Sequence, residues 1–252
     1  MFNRLYVLLL SLMACLCASA HADTIHIAVA SNFNKTLQVL VQQFEQSHDH
    51  RVVISSGSSG KLFAQIQHGA PFDIFLSADR EKPEALERTG QSEPGMRFTY
   101  ALGTLVLWAP HMDPAEDGPT LLQSGRIQRL ALANPRLAPY GSATIDVLNH
   151  FMLTDDTRKT WVLGENIAQT YQFIASGAAD AGFIALTQLI DGQVNTQGTV
   201  WRVPSSLHRP IKQQALLLRR GSAKQGTRDF WQFLQSDQAR YIICDHGYTV
   251  DP

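Results

Sequence analysis

The run Ser55-Ser56-Gly57-Ser58-Ser59-Gly60-Lys61 concentrates hydroxyls and small residues in one place. It follows the apolar Val52-Val53-Ile54, which reads as a buried strand, and precedes Leu62, Phe63 and Ile66, which mark one face of a helix. A strand-to-helix turn of this composition leaves backbone N–H groups free at a helix N-terminus, where the helix dipole also favours negative charge. Its natural guest is an oxyanion. The plain alternative is a serine N-cap in a Gly/Ser turn. Two catalytic motifs are near matches only. A P-loop needs Gly where Ser55 stands and Ser or Thr where Leu62 stands. Ser58-Ser59-Gly60-Lys61 fits S-x-x-K, but S-D-N and K-T-G are absent, and Lys159-Thr160 is followed by Trp161. A serine hydrolase using Ser58 or Ser59 would also need a general base, and no His motif supplies one.

The elements that would position this turn alternate. Ile25 to Ala30 reads as a strand, with Ser31-Asn32 capping a helix through Leu37, Leu40, Val41 and Phe44. Arg51 to Ile54 is a second strand and Phe72 to Leu76 a third, followed by a helix from about Arg80 to Arg88. This β-α-β-α-β order predicts a parallel sheet flanked by helices. Tyr100 to Ala109 reads as one long strand. A second α/β set follows: strands at Leu130–Ala133, Val162–Asn166, Gly182–Leu186 and Val200–Val203, and helices near Ser142–Phe151 and Ile167–Ala175. Gln214 to Arg219 reads as a returning strand, and Gly226 to Asp245 as one long amphipathic helix. The expectation is therefore two lobes joined by two crossover strands: lobe I from 23–103 and 210–252, lobe II from 104–209. Four turns stand at helix starts, Ser31-Asn32, Ser58-Ser59, Tyr140-Gly141 and Asn166-Ile167. Ligands in open α/β sheets bind beyond the carboxyl ends of the strands, so all four could face one cleft.

Composition excludes several classes. The 252 residues are 44% apolar, with 21 Lys+Arg against 22 Asp+Glu, which suits a soluble globular protein and leaves no electrostatic footprint for nucleic acid. Arg4, the apolar run Leu5–Cys17 and the small-x-small Ala20-His21-Ala22 predict a signal peptide over 1–22, hence an exported, periplasmic protein beginning at Asp23. The rival is a lipoprotein anchored at Cys15. Cys244, in Tyr241-Ile242-Ile243-Cys244, is expected in the core. The histidines show no metal-ligand spacing, and His48 and His50 are expected to face solvent. Asp79 is expected to cap a helix, and Asp73 to be a hydrogen-bonded or solvated strand residue rather than a cleft support.

Ala28-Val29-Ala30-Ser31-Asn32, Ser58 to Ile66, Gly69-Ala70-Pro71-Phe72-Asp73-Ile74-Phe75-Leu76-Ser77-Ala78-Asp79, Asn134-Pro135, Pro139-Tyr140-Gly141, Gly164-Glu165-Asn166, Gly177 to Phe183 and the ending Tyr241 to Tyr248 resemble the periplasmic molybdate-binding proteins of ABC importers. The resemblance covers nearly the whole chain after residue 22. It implies a two-lobed, venus-flytrap α/β binding protein of the type II kind. Such a protein would be no enzyme and would carry no cofactor. It would hold molybdate or tungstate by hydrogen bonds alone, with no directly coordinated metal. The lobes would close on the anion, and a monomer would pass it to a membrane permease. The same fold could instead serve sulfate or another oxyanion. Carried over by position, the ligands are Ser31, Ser59, Tyr140 and the backbone N–H of Ile167. Many members have Ala at position 140 and Tyr where this chain has Ala185. A branch with Asn after the first position and Tyr in the turn matches Asn32 and Tyr140, so Asn32 joins the set and the Tyr140 phenol is expected to take the role lost at Ala185.

Neutral donors suit such a guest. A tetrahedral dianion offers only acceptors, and hydroxyl, amide and backbone N–H groups donate without bringing charge.

Overall fold

The computed structural model describes residues 22–190 and 197–250. The predicted leader up to residue 21, with Cys15, lies outside the described residues. Among the described residues, ten strands form two sheets. They are β1 (Thr24–Ala30), β2 (Arg51–Gly57), β3 (Ile74–Ser77), β4 (Ser92–Gly103), β5 (Leu105–Ala109), β6 (Leu130–Ala133), β7 (Trp161–Gly164), β8 (Ala181–Ala185), β9 (Thr199–Arg202) and β10 (Ile211–Leu218). The first sheet runs β2-β1-β3-β10-β4 and the second β7-β6-β8-β5-β9. Each has a parallel core, β2-β1-β3 in one and β7-β6-β8 in the other, extended by antiparallel strands. Strands covered on both faces should be continuously apolar. Ile74–Leu76 and Leu130–Ala133 are, and all of these residues are buried.

Among the described residues, seven helices of eight or more residues flank the sheets: α1 (Asn34–Glu45), α2 (Ser59–Gln67), α3 (Glu81–Arg88), α4 (Pro139–His150), α5 (Ile167–Ala175), α6 (Gln225–Leu234) and α7 (Asp237–Asp245). The α1 face foreseen from its periodicity, Leu37, Leu40, Val41 and Phe44, is buried against β1 and α6 residues such as Ile27 and Phe230. Each such side chain contributes about 1.5–3 kcal/mol by leaving water. Pro139 opens α4, where its missing N–H costs nothing.

The structure corrects four expectations. Tyr100 to Ala109 is two strands, because the chain leaves one sheet at Gly103 and enters the other at Leu105. The final helix is broken: Gln235-Ser236 interrupts it, and Ser236 Oγ accepts from Ala239 N–H to start α7 afresh. The restart changes which face is buried. Ala239 and Ile243 turn inward, and Cys244 is exposed rather than in the core. His48 and His50 are half-buried, with His48 stacked on Phe44 at 4.2 Å between ring centroids. Asp79 does act as a cap, its Oδ1 accepting from Lys82 N–H at 3.1 Å. Asp73 is fully buried, accepts from His26 N–H at 2.8 Å and pairs with Lys224 at 2.7 Å.

Candidate functional site

The carboxyl ends of β1, β2, β6 and β7 feed helix starts that face one another. Beyond β1 a single 3-10 turn, Ser31–Phe33, leads into α1. Beyond β2, Ser58 precedes α2, and beyond β7, Asn166 precedes α5. Beyond β6, a short loop leads to α4. First-turn N–H groups have no partner within their own helix. Ser59 and Ile167 stand at the first position of their helices and Tyr140 at the second. All of them, with Ser31 and Asn32, border one small cavity. Its remaining walls are Ala30, Gly57, Ser58, Ala78, Ala138, Pro139 and Asn166. No charged side chain is among them.

The hydroxyls differ in how they are held. Ser59 is 1% exposed, and its Oγ accepts from Ala78 N–H at 2.9 Å. That bond fixes the oxygen and leaves its proton to donate. Ser58 Oγ accepts from Lys61 N–H at 3.4 Å as the cap of α2. No imidazole is a hydrogen-bond partner of Ser58 or Ser59 among the described residues. Ser31 Oγ accepts from Ala168 N–H at 3.4 Å, across the cleft.

Asn32 is arranged differently from the expectation. Its side chain caps no helix. Its amide nitrogen donates to Gln213 Oε1 at 2.7 Å and to Tyr248 Oη at 3.0 Å. Tyr248 Oη donates back to Asn32 O at 2.9 Å, and Tyr100 Oη lies 3.2 Å from Gln213 Oε1. With both amide protons so engaged, what Asn32 presents to the cavity is its backbone. Gln213 and Tyr248 were not foreseen. They lie 181 and 216 residues from Asn32, and no local pattern marks them.

Tyr140 is 1% exposed, and its hydroxyl has no hydrogen-bond partner among the described residues. Burial, and then the neighbouring Tyr248, raise its pKa well above the usual phenol value, so it stays a donor. A buried hydroxyl without a partner costs about 1–3 kcal/mol, which an acceptor supplied from outside would remove. Ala185 lies in β8 with its N–H on Gln188 Oε1 at 2.9 Å, and Gln188 in turn donates to Ile167 O at 3.1 Å.

Three contacts close the cleft. Gly60 N–H donates to Leu137 O at 2.8 Å, Lys61 pairs with Glu165 at 2.8 Å, and Ser31 meets Ala168 as above. Gly60 has to be glycine here, since a Cβ would stand 2.9 Å from Leu137 O and 3.0 Å from its Cα. The described residues contain no cluster of His, Cys, Asp or Glu suited to a metal ion and no helix long and apolar enough to cross a membrane.

Comparison with known proteins bears on this geometry. Residues 25–249 match the model of a family described as bacterial extracellular solute-binding protein. The chain is 39% identical over 249 residues to the molybdate-binding protein ModA of Azotobacter vinelandii, covering 98% of each chain. It is 36% identical to ModA of Rhodobacter capsulatus, covering 96% of this chain and 94% of that one. The solved structure of the Azotobacter vinelandii periplasmic molybdate-binding protein superposes with a TM-score of 0.85 at 38% identity, over 90% of this chain and all of the other.

Proposed function

Because the chain belongs to the bacterial extracellular solute-binding protein family, and its two sheets have the two-lobed binding-protein fold, we propose that it captures molybdate, and tungstate with it, in the cleft between the lobes. The relatives' names supply the anion. The observation that carries the reading is the cavity lining: four helix starts and four hydroxyl-bearing residues, with no ionic side chain. Ser31 and Ser59 donate their hydroxyl protons. Asn32, Tyr140 and Ile167 donate backbone N–H groups, and the unpartnered Tyr140 hydroxyl adds a further donor. Molybdenum is cargo here, held through its oxygens. Lining without a carboxylate also disfavours hydrogen phosphate, whose proton would find no strong acceptor.

The lobes correspond to 23–103 with 210–252 and to 104–209, closing around the crossings near Thr104 and between Arg202 and Ile211. The protein works as a monomer in the periplasm, freed of its leader after Ala22, and passes the anion to an ABC permease.

Melting curves with molybdate, tungstate, sulfate and phosphate test this. A ligand of the folded state at 100 times its Kd stabilises by about 2.7 kcal/mol. Molybdate and tungstate should raise the Tm and phosphate should not; sulfate raising it most would reassign the cargo to sulfate.

A further inference from the structure

Gly103 closes β4 at the point where the chain leaves the first sheet, and it pairs with Ile211, where the chain re-enters it. The ring of Tyr140, carried by α4 of the other lobe, ends at this paired spot. A Cβ on Gly103 would collide with Tyr140 Oη and would stand 3.0 Å from both Tyr140 Cζ and Ile211 Cγ2. Ile211 and Tyr140 share one apolar cluster with Ala30 and Ala78, which stand at the ends of β1 and β3 and border the cavity. Gly103 is neither at a positive φ nor on the cavity wall, so neither backbone conformation nor ligand contact accounts for its missing side chain. The close approach of the phenol does.

We propose that Gly103 and Ile211 form a socket, built from the two crossover strands, that sets where the Tyr140 hydroxyl stands relative to the anion. Gly103 is then a positioning residue for binding although it touches no ligand. The inference rests on the oxyanion reading above. It follows physically from close packing: a ring held on its flank by backbone has one place to be, and its hydroxyl is placed by that contact rather than by a hydrogen bond. Because the socket is made where the chain crosses between the sheets and the ring comes from the opposite lobe, the contact joins the two lobes at the point where they are linked.

A double-mutant cycle in calorimetric titrations with molybdate, tungstate and sulfate tests this. Tyr140→Phe removes the hydroxyl and should weaken molybdate binding about 10-fold or more. Gly103→Ala should weaken it comparably, by displacing the ring. Since the worst collision is with the atom Tyr140→Phe deletes, and the remaining 3.0 Å contacts with Cζ and Ile211 Cγ2 need only small shifts, the double variant should bind no worse than Tyr140→Phe alone. Ile211→Ala widens the socket without adding an atom, and keeps the test open if Gly103→Ala folds poorly. It should weaken binding in the wild-type background and change nothing alongside Tyr140→Phe. The socket is overturned if Gly103→Ala and Ile211→Ala bind as the wild type does, if the effects simply multiply, or if Tyr140→Phe retains full affinity. The wild-type arm separates the two levels. A wild type that binds none of the three anions removes the function and the socket together, whereas a binding wild type matched by Gly103→Ala removes the socket alone.

Discussion

In the proposed site the two lobes approach the cavity by different means. Lobe I brings side-chain hydroxyls and anchors them: Ser59 Oγ on Ala78 N–H, and the turn bearing Ser31 through the buried Asn32–Gln213–Tyr248–Tyr100 network. Lobe II brings backbone. Ile167 N–H points from a helix start that Asn166 caps by accepting from Ala168 and Gln169 N–H, and Tyr140 N–H from a start opened by Pro139. The one lobe II side-chain donor, the Tyr140 hydroxyl, lacks the kind of anchor Ser59 has. A side-chain donor is open to mutation and must be held by neighbours. A backbone donor is held by the helix itself and tolerates any residue that keeps the fold. Lobe I is thereby the half whose chemistry is written in side chains.

The strongest test of that contrast is Ser59→Ala. It deletes a donor to a charged group, worth about 1.5–3 kcal/mol, and leaves Ala78 N–H without its acceptor. Molybdate affinity by calorimetry should fall about 10- to 150-fold. A change under about twofold would remove Ser59 from the site. Next comes Asn32→Ala, which leaves Gln213 and Tyr248 short of partners in a buried network. At about 1–3 kcal/mol and about 2–4 °C of Tm per kcal/mol for a chain of this size, the ligand-free protein should melt about 2–12 °C lower. An unchanged Tm would show the network to be dispensable. Lys61→Met has a smaller effect. The Lys61–Glu165 pair spans the cleft, but both side chains are about half exposed. A contribution of about 0–1 kcal/mol gives at most about a fivefold loss of affinity, fading in high salt. A tenfold, salt-insensitive loss would place Lys61 among the anion's own ligands. Smallest is Ile167→Val, which keeps the N–H. Affinity should stay within about twofold while stability falls about 0.5–1.5 kcal/mol. If affinity collapsed instead, lobe II would be acting through a side chain after all.

Much of this was legible in the chain because strand-to-helix turns carry local signals. The apolar run before Ser55, the hydroxyls after it and the helical spacing after Lys61 mark one such turn without reference to anything distant. Pro139 before Tyr140 and Asn166 before Ile167 do the same in the second half. The misreadings share a different cause. Tyr100 to Ala109 is continuously suited to a strand, and nothing in that pattern says that residues on either side of Thr104 pair with different sheets. Ser236 starts a new helix, and within it the apolar run Tyr241 to Cys244 winds around the axis, so that Ile243 is buried and Cys244 is exposed. Asn32 beside Ser31, just before a helical run, reads as a cap because that is the local role of Asn. Its actual partners are decided by tertiary packing at Gln213 and Tyr248.

The uncharged cavity wall has a consequence for the conditions under which the protein can work. No group lining it changes ionisation in ordinary media, since the Tyr140 phenol is held protonated far into alkali. The wall therefore adds no titration of its own, and dependence on acidity is left to the anion and to the Lys61–Glu165 pair at the rim. A receptor built on lysine or histidine would carry its own titration into every measurement of its cargo. This one leaves the environment's chemistry to set what is captured.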